Sequence, residues 1–381
     1  MPDASPTKWH LAHTTWFFET FVLAPNEPNY RVHDERWGFL FNSYYEAVGA
    51  RQPRPLRGML TRPSVDEVLR YRRAIDDGVR AGLESGRWSN DVLDLVELGV
   101  HHEQQHQELL LTDIQHLLSL NPLAPAYTTT VPAVSRAAEP PRWIESAGGV
   151  VPIGHRGADF SFDNESPAHD ELLRPFEVRD VLVTCAEFAA FIADGGYARP
   201  ELWLSDGWAA VQSHEWKTPL YWHRAGTDWQ RFSLHGRIDV DPAAPVTNIS
   251  FYEADAFARW ANARLPMETE WEHVARDFSV ERGQFLDSQR WTPVSDGTRD
   301  AWFGSAWVWT ASPYLGYPGF RPAAGAVGEY NGKFMCNQFV LRGGSCFTPP
   351  GHVRRTYRNF FPPHARWQAT GIRLARDADR R

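Results

Sequence analysis

One helix constrains this chain more than any other feature. The run from Val100 to Leu111, Val-His-His-Glu-Gln-Gln-His-Gln-Glu-Leu-Leu-Leu, is built of helix-forming residues with no proline or glycine. The pattern predicts a long helix from about Asp91 to Leu120, stopped by Asn121-Pro122. Within it, His102 and His106 stand four residues apart, which sets both imidazoles on one face, one turn apart. Two neutral imidazoles so placed can grip one metal ion. The plainer reading of the same spacing is a solvated polar helix with incidental histidines.

The first third of the chain reads helical throughout. Trp9, His13, Trp16, Phe17 and Phe21 recur at helical spacing. So do Val65, Val68, Leu69, Arg72 and Ile75, behind Ser64 as N-cap. A Gly- and Pro-punctuated stretch, Asn42 to Pro63, lies between them. The expected domains are a helical metal-binding unit over 1–121, a Pro-rich linker over 122–141 and a second domain over 142–378. From Trp143 the texture changes to short strands such as Val150 to Ile153, with two short helices near Thr184 to Asp194 and Ser250 to Ala263. The expected class is α+β with two domains, which suits 381 residues.

Composition narrows the function. Hydrophobic content of 43% and charged content of 23% are those of a globular protein. A net charge of −8 argues against nucleic acid as a partner. No apolar run approaches the ~20 residues that span a bilayer, and no signal peptide opens the chain. Three cysteines, Cys185, Cys336 and Cys346, fit a reducing cytoplasm. The 17 tryptophans suit packed loops and pockets that hold cations by their π faces.

A metal site needs a third ligand. His13 is the candidate, because it shares the apolar stripe of the first helix and so faces a bundle interior. The alternative is a satisfied core histidine. Three histidines leave coordination positions open for catalysis. Imidazole suits Zn, Cu, Fe or Ni, so spacing does not name the metal. His102-Glu103-Gln104-Gln105-His106 also matches H-E-x-x-H, the zinc-hydrolase helix with Glu as general base. The metzincin continuation is missing, since the helix runs on as Leu-Leu-Leu-Thr-Asp.

Six segments together carry a resemblance. They are Ser5-Pro6-Thr7-Lys8-Trp9-His10-Leu11-Ala12-His13, Asn42-Ser43-Tyr44-Tyr45-Glu46, His102 to Glu108, Asp163-Asn164-Glu165-Ser166-Pro167, Leu341-Arg342-Gly343-Gly344-Ser345 and Arg358-Asn359-Phe360-Phe361-Pro362. Over nearly its whole length the chain resembles the non-haem iron sulfoxide synthases of ergothioneine biosynthesis. Those enzymes join a DinB-like helical bundle to a domain like the formylglycine-generating enzyme, with its lectin-like fold.

The resemblance implies iron(II) held by His13, His102 and His106. It implies small-molecule substrates: O₂, hercynine (trimethylhistidine) and a cysteine-type thiol, whose sulfur is joined to C2 of the hercynine imidazole as a sulfoxide. Tyr44 and Tyr45 resemble a tyrosine pair near the iron, where a phenol can give a proton or a hydrogen atom. Arg54 and Arg57 suit the carboxylate of the thiol substrate. Gln105 resembles the residue that hydrogen-bonds the hercynine imidazole. Asn359, Phe360 and Phe361 resemble a loop that closes over hercynine, with Trp9 either joining that cage or serving the core.

The chain also departs from the pattern. Formylglycine-generating enzymes carry a cysteine pair after Gly-Gly-Ser, whereas this chain reads Ser345-Cys346-Phe347-Thr348-Pro349-Pro350. The second domain is therefore expected to wall a pocket rather than perform that chemistry. Related enzymes carry a further helix before Ser-Pro-x-x-Trp, and Ser5 follows closely on Met1, so a truncated start or a missing first helix is expected. No methyltransferase domain is appended, which disfavours full-length ovothiol-type enzymes. Cysteine and γ-glutamylcysteine both remain as donors, with the tyrosine pair pointing to cysteine. The alternatives are a selenosugar-using selenoneine synthase, an H-E-x-x-H zinc hydrolase and a non-enzymatic lectin-like binder. The sequence does not give the oligomeric state.

Overall fold

The computed structural model describes residues 4–136, 140–299, 301–324 and 326–378. It divides into a helical unit, Met1–Leu117 with Pro322–Gly332, and a mixed unit, Leu118–Arg321 with Lys333–Arg381. The protein is α+β.

The helical unit begins with α1 (Thr7–Phe17), which passes into a π-helical turn, Phe18–Leu23, and a short turn α2 (Ala24–Asn26). The wider π turn rotates the apolar stripe, so Val22 and Leu23 are buried while Phe21 is only half-buried. Next comes α3 (Glu35–Phe41), which the periodicity does not announce because seven residues are too few to show a period. Its marks are the N-cap Asp34, whose carboxylate accepts the Arg36 N–H at 3.0 Å, and buried Trp37 and Phe41.

Helix α4 (Val65–Ser85) opens on Ser64 as predicted, in a capping box. The Ser64 hydroxyl accepts the Glu67 N–H at 3.3 Å and the Glu67 carboxylate accepts the Ser64 N–H at 2.7 Å. It ends where Gly86 takes φ +62°. The buried stripe is Val68, Tyr71 and Ile75. Val65, expected on it, is exposed in the first turn, because the stripe runs through Tyr71 instead. Helix α5 (Asn90–Ser119) agrees with the predicted span within a residue at each end. It closes on the π turn at Gly99, where a Cβ would stand 2.6 Å from the Phe18 ring.

Among the described residues, the mixed unit holds four small sheets. β1 (Trp143–Ser146), β4 (Phe176–Arg179) and β12 (Ala375–Asp377) form one in the order β1-β4-β12. β2 (Gly149–Ile153) pairs with β3 (His169–Leu173), and β5 (Trp222–Ala225), β6 (Asp228–Ser233) and β7 (Gly236–Asp239) form a meander. The fourth sheet runs β10-β9-β8-β11, from Asn359–Phe361, Phe339–Arg342, Trp307–Pro313 and Thr370–Gly371. Of its helices, α6 (Cys185–Ala193) and α8 (Phe251–Trp260) stand where the sequence puts them. The other two, α7 (Ser205–Ser213) and α9 (Glu268–Ala275), are too short for their periodicity to be read. The segments Leu341 to Ser345 and Arg358 to Pro362 carry a buried ionic knot. Arg342 donates to Glu268 at 3.0 Å and Glu272 at 2.8 Å, and Arg358 grips both oxygens of Glu268 at 2.9 Å.

Two segments differ from their sequence reading. The Pro-rich stretch expected as a linker is tied down at Tyr127, Thr128 and Arg136. The Tyr127 and Thr128 N–H groups donate to the Leu234 carbonyl at 2.8 and 3.0 Å, and Arg136 N–H donates to Ser295 at 2.8 Å. Residues 137–139 of that stretch lie outside the described residues. The second is Pro322–Gly332, which lies inside the expected second domain in sequence but belongs to the helical unit. There the Glu329 carboxylate accepts the N–H groups of Glu46 and Ala47 at 2.9 and 2.8 Å. A return of this kind rests on non-local pairing, which no local pattern encodes.

Candidate metal centre

The long helix α5 presents His102 and His106 one turn apart, and α1 sets His13 against them. One nitrogen from each of the three lies within 4.8 Å of the others, and this is the one such cluster of potential ligands among the described residues. The ring centroids are 4.6 to 4.8 Å apart. His13 Nε2 and His102 Nε2 face each other at 3.2 Å. Two nitrogens each about 2.1 Å from one ion, at an angle near 100°, would stand about that far apart.

The protonation states also suit a metal. His13 Nδ1–H donates to the Phe41 carbonyl at 2.6 Å, which leaves Nε2 with its lone pair. Burial holds His102 neutral, with its pKa pulled down to about 3. Burial, reinforced by the neighbouring imidazoles, pulls His13 and His106 well below the ordinary histidine value. His102 Nδ1 is buried with no hydrogen-bond partner among the described residues. Three neutral imidazoles with converging lone pairs fit a divalent transition metal.

The environment of the cluster is aromatic and cationic. Trp9 stacks on His13 at 4.7 Å, carries the Arg57 guanidinium 3.6 Å from its ring and donates its indole N–H to the Leu40 carbonyl at 2.9 Å. It is therefore a core residue beneath the ligands. Arg57 is buried, donates to the Ser5 and Ser43 hydroxyls at 3.2 and 3.4 Å, and has no carboxylate ion-pair partner among the described residues. Burial, with Arg54 and Arg51 nearby, pulls its pKa down to about 9. Arg54, predicted as its companion, is exposed.

The tyrosines separate by environment. Tyr45 is fully buried between Trp16 and Phe21, at 5.8 and 5.0 Å, and burial pushes its pKa well up. Tyr44 is half-buried, its hydroxyl 3.4 Å from that of Tyr45. A third phenol, Tyr330, arrives on the returning segment. Its ring lies 5.6 Å from His102 and 6.3 Å from Tyr44, and its hydroxyl donates to the Gln105 side-chain oxygen. Sequence reasoning missed Tyr330 because 225 residues separate it from Gln105. The predicted residues Asn359, Phe360 and Phe361 form β10 in the mixed unit, half-buried, with Phe360 stacked on Tyr314 at 4.0 Å.

Glu103 bears on the H-E-x-x-H reading. Its carboxylate accepts from Arg72 of α4 at 2.5 Å, a charge pair that ties it to the neighbouring helix. A general base must instead be aimed at a metal-bound water.

Comparison with known proteins agrees with this picture. Residues 129–378 match the Sulfatase-modifying factor enzyme 1-like domain. The hercynine oxygenase of Mycobacterium tuberculosis is 31% identical over 99% of this chain and 92% of its own length. That of Mycolicibacterium smegmatis is 34% identical, with the same coverage of each chain. A formylglycine-generating enzyme of Streptomyces coelicolor is 33% identical over 38% of this chain and 53% of its own.

Proposed function

The chain belongs to the hercynine oxygenase family, and from that premise we propose that it is a non-haem iron(II) sulfoxide synthase of ergothioneine biosynthesis. The reaction joins C2 of hercynine to the sulfur of cysteine or γ-glutamylcysteine. One atom of O₂ ends on sulfur. The other leaves as water with the hydrogens displaced from C2 and the thiol. The observation that carries the reading is the convergence of three neutral imidazoles, His13, His102 and His106, on one point.

These three would hold the metal, and when bound it supplies open positions at which thiolate, O₂ and imidazole meet. The protein's own groups do the rest. Arg57 is a desolvated cation without a carboxylate ion-pair partner among the described residues, and it takes the carboxylate of the thiol substrate. Gln105, fixed by Tyr330, orients the hercynine ring. In this reading Tyr330 and Tyr44 supply a proton or hydrogen atom, whereas Tyr45 supports them from the core. Phe360 and Phe361 carry the aromatic faces that suit a trimethylammonium group, and Asn359 carries an amide that can hydrogen-bond the substrate.

The test is His106→Ala. It is expected to lose iron(II) binding and hercynine-dependent O₂ consumption together. A variant that keeps both removes His106 from the ligand set.

A further inference from the structure

Two buried polar residues stand behind the histidine cluster and belong to none of the roles above. His10, on α1, lies between two residues of α5 that are two turns apart. Its Nδ1 is 2.9 Å from Nδ1 of His106, and its Nε2 is 3.2 Å from Oδ2 of Asp113. The same Asp113 oxygen accepts the Ser5 backbone N–H at 2.8 Å. His10 and Asp113 are 4% and 3% exposed, so solvent cannot substitute for these bonds.

For neutral rings, the chain of contacts fixes every proton in it. A carboxylate accepts, so His10 presents Nε2–H to Asp113 and keeps a lone pair on Nδ1. Two ring nitrogens 2.9 Å apart must be one donor and one acceptor, so His106 carries its proton on Nδ1. His106 Nε2 is then left with its lone pair.

The three imidazoles are thus held differently. His13 donates to a neutral carbonyl, His102 Nδ1 has no partner among the described residues, and His106 is tied through a second histidine to a carboxylate. We propose that His10 and Asp113 are positioning residues. They lock His106 in the tautomer whose Nε2 faces the metal, and they make it the most strongly donating of the three imidazoles. This rests on the reading of His13, His102 and His106 as a metal site. Outer partners of this kind are worth 10–100-fold in metal affinity.

The test is competition for iron(II) and cobalt(II) against a chelator, under anaerobic conditions, on wild type, His10→Leu, His10→Gln and Asp113→Asn. The cobalt(II) absorption bands report the ligand field. Glutamine can still accept the His106 Nδ1–H, whereas leucine cannot. Expected is a roughly 10–100-fold loss of affinity and shifted cobalt bands in His10→Leu. His10→Gln should stay near wild type, and Asp113→Asn should fall between. Wild-type affinity and spectra in all variants overturn the proposal, and so does an equal loss in His10→Leu and His10→Gln. If His10→Leu does not fold, His10→Gln and Asp113→Asn decide alone: a loss and band shift in Asp113→Asn with His10→Gln near wild type supports the proposal, and unchanged binding in both overturns it. A wild-type protein that binds neither metal would instead refute the metal site itself.

Discussion

Metal-free protein should lose stability as pH falls through the mid-acid range, and His102 sets a calculable part of that loss. Folded His102 is held at about 3 by burial alone, against about 6.5 in an unfolded chain. Below about pH 6.5 the unfolded chain takes up a proton that the folded ring refuses. The contribution is therefore full above pH 6.5 and is progressively lost as pH falls toward 3. At pH 5 the unfolded ring is almost fully protonated and the folded ring almost not at all, which costs about 2 kcal/mol. The assay is urea unfolding of chelator-treated protein at pH 7.5 and pH 5.0, for wild type and His102→Gln. Groups remote from His102 act in both proteins and cancel, while His13 and His106, relieved of the neighbouring imidazole, lose less in the variant and widen the difference. Wild type should lose at least about 2 kcal/mol more than His102→Gln between the two pH values. Equal losses would refute the claim that His102 is held neutral by burial.

Gly99→Ala places a methyl 2.6 Å from the Phe18 ring, and thermal unfolding should show a loss of about 1–3 kcal/mol. An unchanged melting temperature would mean that α5 does not close on the π turn there. Among Tyr330→Phe, Tyr44→Phe and Tyr45→Phe, turnover should fall most in Tyr330→Phe, then in Tyr44→Phe. Tyr45→Phe should affect mainly stability, and equal wild-type rates for all three would remove the phenols from the chemistry. Glu103→Gln should keep iron(II) binding and O₂ consumption while weakening the tie to Arg72. Abolished turnover with metal retained would revive a general-base role for Glu103.

The sequence is most legible where a local rule decides the structure. The span of α5 followed from composition and its Asn-Pro stop, and the Ser64 cap from its side-chain chemistry. His13 could be picked because an imidazole on an apolar stripe must face something inside. The missed features share a physical cause. Tyr330 reaches the site through a chain reversal, and His10 and Asp113 matter only because α1 and α5 pack together. The short helices α3, α7 and α9 carry too few residues for a period. Arg54 and Arg57 are near neighbours in sequence, and the 3₁₀ turn Arg54–Met59 sets them on one side, yet only Arg57 is buried, a difference no local rule encodes.

The most direct test of the account is anaerobic loading with iron(II), followed by O₂ uptake with hercynine and, in parallel, cysteine, γ-glutamylcysteine or a selenosugar. Products are read by mass. The account expects O₂ consumption that needs both hercynine and a thiol, with the mass of their sulfoxide adduct naming the donor. Iron-loaded protein that consumes no O₂ with hercynine and any of these donors would contradict it.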